Sequence, residues 1–164
     1  ENPREPEAVP PEEKEMISTP STYSEWVSVL DILKSKSNDA EVLSAMQKGT
    51  IEWQSGVAER FSKRLIDSVN YRMNAASDKF QKDMSRAYGS EGAIVQALLA
   101  LRKEMSFLAQ AINIPALPER ERQHYLQLVI EQANNMQKSL EDSAKKDRSG
   151  KLASIVRNHK VNSI

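Results

Sequence analysis

The feature that most constrains this chain is the stretch from Thr50 to Tyr88, which contains no proline and a single glycine, Gly56. A run of this length without helix breakers predicts one continuous helix, because proline and glycine are the residues that end helices. At 1.5 Å per residue such a helix would reach about 58 Å. We therefore predict an all-α fold, an elongated antiparallel bundle of helical hairpins built around one long central helix over about 50–88.

One face of this predicted helix is apolar along its whole length. On a wheel of 100° per residue, a main apolar stripe spans about 80° of arc. Its members are Ile51, Ala58, Leu65, Val69, Met73, Ala76, Phe80 and Ala87. An amphipathic pattern of this kind is typical of a helix that packs against neighbours on one side.

The first third of the predicted helix has a second apolar face, formed by Trp53, Val57 and Phe61. A helix that is apolar on two sides must be covered on both. Either the preceding helices fold back over this face, or it docks another chain, with Arg60 and Arg64 as flanking charges. The second alternative makes these five residues our candidate partner-binding site.

Capping patterns and apolar periodicity predict the remaining elements. The predicted helices cover residues 23–36, 39–48, 92–113 and 118–148, followed by a short amphipathic segment around 152–156. We expect Gly49 to end the second of these helices in a left-handed conformation, and Pro118 to occupy the first turn of the helix that it begins.

Composition divides the chain into three parts. Residues 1–20 are rich in proline and glutamate, which predicts a flexible acidic leader, and residues 21–148 form the predicted bundle. Residues 149–164 form a basic tail, either a short helix or disordered. The cations at this end are Lys145, Lys146, Arg148, Lys151, Arg157 and Lys160. The net charge of the whole chain is nevertheless zero.

No pattern in the sequence supports catalysis. Cysteine is absent, which excludes thiolate zinc sites and a cysteine nucleophile. Glu121 and His124 form a Glu-x-x-His pattern, but helical di-iron proteins use this pattern twice. Ser149-Gly150-Lys151 lacks the earlier glycine of a phosphate-binding loop. We predict no catalytic, cofactor-binding or metal-binding residue and expect no enzymatic activity.

These observations favour a non-enzymatic interaction module that recognises another protein, or copies of itself, by helix packing. The alternative is a nucleic-acid-associated protein that uses the basic tail and a basic stripe on the long helix. The stripe consists of Arg60, Arg64, Arg72, Lys79, Lys82 and Arg86. The sequence shows no membrane span and no signal peptide. We therefore favour a cytoplasmic location for the protein. Because residue 1 is glutamate rather than methionine, we expect a processed or partial chain.

Overall fold

The computed structural model describes residues 17–52 and 56–164, of which 75% are helical, and no strand occurs in these two ranges. The elements are α1 (Tyr23–Ser35), α2 (Asp39–Lys48), α3 (Val57–Arg86), α4 (Glu91–Ile112), α5 (Glu119–Ala144) and α6 (Lys151–Asn158). They pack against one another as a bundle, so the all-α prediction is confirmed. Within the same ranges, no helix has the apolar length that a bilayer span requires.

The predicted start of the long helix is wrong, because α3 begins at Val57 rather than at Thr50. The backbone of Thr50 is bonded elsewhere: its N–H donates to the Pro20 carbonyl at 3.0 Å, and its carbonyl accepts the Trp26 indole N–H at 2.8 Å. These long-range bonds replace helical ones and hold residues 50–52 in a non-helical path. Gly56 then adopts a left-handed φ of 82° immediately before α3.

The packed part of the chain starts earlier than the predicted leader boundary at residue 20. Pro20 is buried, and Ile17 is half-buried against the core. Apolar contact offsets the entropy of ordering these residues, so at least 17–20 belong to the bundle. The rest of the predicted leader, residues 1–16, lies outside the described residues.

The N-terminal half of α3 is covered by α1. The side chains of Trp26 and Phe61 are both 0% exposed, and their ring centroids lie 4.9 Å apart at an interplanar angle of 67°. Aromatic pairs favour this edge-to-face arrangement. Of the two alternatives for the second apolar face, Phe61 therefore follows the first, because a preceding helix of the same chain covers it.

Gly49 is required for close packing rather than for a left-handed turn. Its φ of −65° and ψ of 151° are extended, so the predicted left-handed conformation is wrong. A Cβ at this position would lie 2.5 Å from Trp26 Cζ2 and 2.9 Å from Pro20 Cγ. Only a residue without a side chain lets the backbone after α2 approach the indole this closely.

The second half of the molecule is a layer of three helices. A left-handed turn at Tyr88 and Gly89 reverses the chain, so α4 packs antiparallel on α3, and α5 then packs on α4. The central helix α4 buries the most side chains. They are Ile94, Ala97, Leu98, Leu101, Glu104, Met105, Leu108, Ala111 and Ile112. In this layer α4 lies between α3 and α5.

The basic tail folds as a short helix, the first of its two predicted alternatives. Helix α6 packs on α5 and α4, and Val156 and Val161 are buried. The Gln137 side chain accepts a hydrogen bond from the Val161 N–H at 3.0 Å and donates to the Val156 carbonyl at 3.4 Å. Asp147 caps the helix by accepting the Leu152 N–H at 3.1 Å.

The same cap explains the acidity of Asp147. The N–H of Leu152, followed by the hydroxyl and the N–H of Ser149, stabilises the charged carboxylate. These hydrogen bonds hold the pKa of the Asp147 carboxyl below its ordinary value. The carboxylate therefore stays charged and continues to cap α6 down to a lower pH than an isolated aspartate would allow.

The packing at Gly49 predicts the effect of two glycine substitutions. Gly49→Ala should lower the free energy of unfolding by about 1–3 kcal/mol, because the new methyl group overlaps the Trp26 ring. Gly92→Ala is the matched control: a Cβ there meets nothing within 4 Å, and alanine in a helix stabilises by up to about 1 kcal/mol. Urea unfolding followed by circular dichroism measures both; equal midpoints for the two variants would contradict the packing argument.

Candidate interaction surface

A buried ion-pair network fixes the helices around the middle of α3. Arg72 is 2% exposed. Its Nη1 and Nη2 donate to the two carboxylate oxygens of Asp39 at 2.8 Å each, and its Nε donates to Glu104 Oε1 at 2.8 Å. Nη1 also donates to the Leu33 carbonyl at 3.1 Å, and the guanidinium lies 4.7 Å from the centroid of the Phe107 ring. One side chain therefore joins α1, α2, α3 and α4.

The surroundings of Arg72 keep it charged. Burial is the largest single effect and lowers the pKa of the guanidinium, but the hydrogen bonds that it donates to Asp39 and Glu104, together with the negative charges of both carboxylates, raise it by more. The net effect is a pKa above the ordinary arginine value. Lys36 adds a second cation, with its Nζ 3.1 Å from Glu104 Oε2. A buried charge with this many partners is stable in place, whereas a single missing partner leaves the others uncompensated.

This network removes Arg72 from the predicted basic stripe. Two further members are paired with carboxylates: Arg64 lies 3.0 Å from Asp31, and Lys79 lies 2.7 Å from Asp83. The stripe therefore does not present a continuous row of cations to a phosphate backbone. The helical wheel of α3 indicated this. With Arg60 placed at 0°, Arg72 falls at about 120°, next to the main apolar stripe and farthest of the basic residues from Arg60.

The structure separates the five candidate partner-binding residues. Trp53 lies outside the described residues, and Phe61 is buried in the core. Val57 is half-buried, while Arg60 and Arg64 are exposed. Phe61 is thus not accessible as an apolar anchor in this conformation. A partner-binding role for the other members stays a prediction.

A different surface has the character of an interface. A groove of about 390 Å³ runs between α3 and α5, with α4 as its floor. We call it the α3–α5 groove. Its apolar lining consists of Phe80, Leu101, Met136 and Leu140, and its polar lining consists of Ser77, Gln81, Gln132, Asn135, Ser139 and Ser143.

Among the described residues, none of those lining the α3–α5 groove is charged, although 28% of the chain is charged. The groove on the opposite side of α3, of about 420 Å³, is lined by Lys79, Asp83 and Arg86 together with small and polar residues. The centres of protein interfaces are depleted in charge, because charged side chains lose more solvation there than they regain. The α3–α5 groove is therefore the stronger candidate for docking by helix packing.

The six polar side chains of the groove are available to a partner. In the part of the chain that the structure describes, none of them makes a hydrogen bond through its side chain. Elsewhere on α5, Gln123 and Gln127 bond with Glu119 and Glu131 four residues away, at 3.2 and 3.4 Å. The groove side of α5 thus offers donors and acceptors that are not engaged within the helix.

Sequence reasoning missed this groove, although a signal was present. Gln132, Asn135, Met136, Ser139, Leu140 and Ser143 recur at spacings of three and four residues. Such spacing places them on one face of α5. A face that mixes uncharged polar and aliphatic side chains, on a helix otherwise rich in charge, marks a surface that is neither fully core nor fully solvated.

The cations of the basic tail remain on the surface. All six of them are exposed, and the Lys145 Nζ lies 3.6 Å from Asp142. His124 is exposed on α5. Within residues 17–52 and 56–164, no group of three or more potential ligands is placed to hold a metal ion.

Comparison of the chain with protein-family models, with curated proteins and with solved structures found no match.

The buried network predicts a contrast between two arginine substitutions. Arg72→Met should lower the free energy of unfolding by about 3–5 kcal/mol, because Glu104 and Asp39 lose the cation that compensates them. Arg64→Met is the matched control and should cost about 0–1 kcal/mol, since its pair with Asp31 is exposed to water. Denaturant unfolding of both variants tests this, and a loss below about 1 kcal/mol for Arg72→Met would contradict the role assigned to the network.

Proposed function

We propose that this protein is a non-enzymatic interaction module that binds another polypeptide by helix packing in the α3–α5 groove. The observation that carries the proposal is the lining of that groove: four apolar side chains and six polar ones, with no charge. The apolar members supply contact area, and the unbonded amides and hydroxyls supply orientation. This combination suits recognition of a surface rather than chemistry on a substrate.

The shape of the groove defines the kind of partner. Two helices flank it and a third closes its floor, so a fourth helix placed there would complete a four-helix arrangement. The docking helix should present aliphatic residues at positions i, i+3, i+4 and i+7, with uncharged polar residues beside them. A charged contact face would lose solvation without gaining a counterion.

A photo-crosslinking experiment tests the proposal directly, because it links the chain to whichever polypeptide lies in the groove. A photoreactive amino acid in place of Ser139, in the full chain, should give crosslinked products in the cells that make the protein. The same amino acid in place of Gln110, which is exposed on α4 outside the groove, is the control and should give none. Adding Gln132→Arg should abolish the products from position 139, because it introduces a charge into the groove.

Two outcomes would count against the interaction module. One is the absence of any product from position 139 when the photoreactive residue is fully incorporated. The other is an equal yield of products from positions 139 and 110, which would indicate non-specific collision. Circular dichroism of Gln132→Arg establishes that the variant keeps its helical content, so that a lost product reflects lost docking.

The second candidate function is nucleic-acid association through the basic tail. The observation that favours it is the exposure of all six cations at this end of the chain. These are Lys145, Lys146, Arg148, Lys151, Arg157 and Lys160. Because α6 is anchored by Val156 and Val161, the cations are held on an ordered surface, which lowers the entropy cost of using them together.

Salt titration distinguishes this function from the first. Six phosphate contacts predict a log–log slope of binding against salt of roughly −4 to −5. Replacing Lys145 and Lys146 by glutamine should reduce the slope by about 2, whereas replacing Lys103, which is exposed on α4, should leave it unchanged. No binding of duplex or single-stranded DNA or RNA at about 50 mM salt would exclude this function.

A further inference from the structure

We propose that α6 and residues 159–164 form a releasable strap, which fills a helix-docking groove between α4 and α5 and leaves that groove to a competing helix when it detaches. The inference does not depend on the α3–α5 groove, because the strap packs on another side of α5 and on α4. It requires a groove built for a helix, an attachment weaker than the core, and a ligand that fits the vacated place.

The groove under the strap is formed by the side of α5 that carries Ala133, Gln137 and Ala144. These residues are spaced four and seven positions apart, so they lie on one side of the helix, and all three are buried. Gln137 bonds directly with the strap, which places this side of α5 against it. On a wheel of 100° per residue, Gln137 lies about 140° from Gln132 of the α3–α5 groove. The two alanines let a helix approach α5 closely, and the two grooves face different ways.

The Gln137 side chain holds the strap by its backbone. This side chain is 4% exposed. Its Oε1 accepts the Val161 N–H at 3.0 Å, and its Nε2 donates to the Val156 carbonyl at 3.4 Å. Asn134, three residues earlier on α5, accepts a hydrogen bond from the Asn162 side chain at 3.0 Å. Because every polypeptide has backbone N–H and C=O groups, Gln137 can bond with another helix in the same way.

Few side chains attach the strap to the bundle. Val156 is the buried residue of α6, and Val161 is buried just beyond it. Leu152, Ala153 and Ile155 are half-buried, whereas α4 buries nine of its side chains. Elements with few buried apolar contacts open locally at a lower free energy than the whole molecule unfolds. The strap should therefore detach while α3, α4 and α5 remain packed.

The cations of the strap do not hold it in place. Lys151, Arg157 and Lys160 are exposed, and in the part of the chain that the structure describes none of them forms an ion pair. Residues 145–150 provide a hinge, in which Gly150 adopts a left-handed φ of 75°. Asp147 caps α6 from within this hinge, so the helix can stay capped when it leaves α5.

The chemistry of the strap defines the competing ligand. The ligand is an amphipathic helix with a branched aliphatic side chain at the position of Val156 and cations on its outer side. A peptide of residues 151–164 is the probe of this class. A tethered segment competes at an effective concentration of about millimolar. The peptide should therefore bind weakly to the closed chain and more tightly to a chain whose own strap is kept out of the groove.

Binding of a fluorescent peptide of residues 151–164 to the full chain is the primary test. In the opened variant, Val156→Asp and Val161→Asp together keep the chain's own strap out, because an unpaired carboxylate is costly to bury. This variant should bind the peptide at least about 10-fold more tightly than the original chain does. Circular dichroism of the opened variant establishes that the bundle keeps its helical content.

A pair of glutamine substitutions tests the contact itself in the opened variant. Adding Gln137→Leu should weaken peptide binding by about 10-fold, since two backbone groups of the peptide lose their partner. Adding Gln123→Leu is the matched control and should leave binding unchanged, because Gln123 is exposed and bonds with Glu119 on the same helix.

Hydrogen exchange of the original chain is a second test that needs no destabilising substitution. The Val161 N–H is bonded to Gln137 and lies outside the helices, so it is protected only while the strap is docked. Its protection should be at least about 100-fold lower than that of Met105 in α4, with a weaker dependence on urea. A short thiol crosslinker between Asn134→Cys and Asn162→Cys should raise the protection of Val161 to that of Met105.

Equal protection and equal urea dependence of the Val161 and Met105 amides in the original chain would overturn the releasable strap, because the strap would then open only when the whole molecule unfolds. Absence of peptide binding to the opened variant, or equal binding by the opened and the crosslinked chains, would overturn the docking groove. Neither result bears on the α3–α5 groove, which the crosslinking at position 139 tests separately.

Discussion

The ion-pair network of Arg72 joins the two short helices α1 and α2 to the pair of long helices α3 and α4. A single guanidinium bonds with the carbonyl of Leu33 near the end of α1, with Asp39 at the start of α2 and with Glu104 of α4. Because these partners lie on three different helices, the arginine sets where α1 ends and where α2 begins relative to α3. Removal of one partner would leave buried charge uncompensated. The positions of α1, α2 and α4 around Arg72 therefore depend on one another.

The open surface is a consequence of this arrangement. The short helix α1 packs on the N-terminal half of α3, where Phe61 lies against Trp26. Helix α1 ends near the network and α2, which packs on α1 and α4, begins there. Beyond it, α3 packs on α4, and α5 packs on the far side of α4. Phe80 and Met136 therefore face a groove rather than each other. The groove exists because a three-helix layer lacks a fourth helix at this place.

The helices of this fold could be predicted because their signals are local. Capping residues, prolines and apolar spacing located α2 at its observed bounds, and α1, α4 and α6 closely. The start of α3 could not be predicted in this way, since Thr50 is held by Pro20 and Trp26, which are distant in sequence. Gly49 illustrates the same limit, because its role depends on the position of an indole ring. The sequence did not reveal the candidate site for a related reason. A groove forms between helices, so its uncharged lining can be recognised only when the positions of α3 and α5 around α4 are known.

The α3–α5 groove is the surface on which the proposed function depends. A pair of ¹H–¹⁵N correlation spectra of the full chain tests it, one of the chain alone and one with the polypeptide that crosslinks at position 139. The side-chain amide signals of the groove residues Gln81, Gln132 and Asn135 should shift when that polypeptide is added, while the signal of Gln110 stays fixed. Unshifted groove amides, or shifts confined to other surfaces, would show that the partner does not dock in the groove.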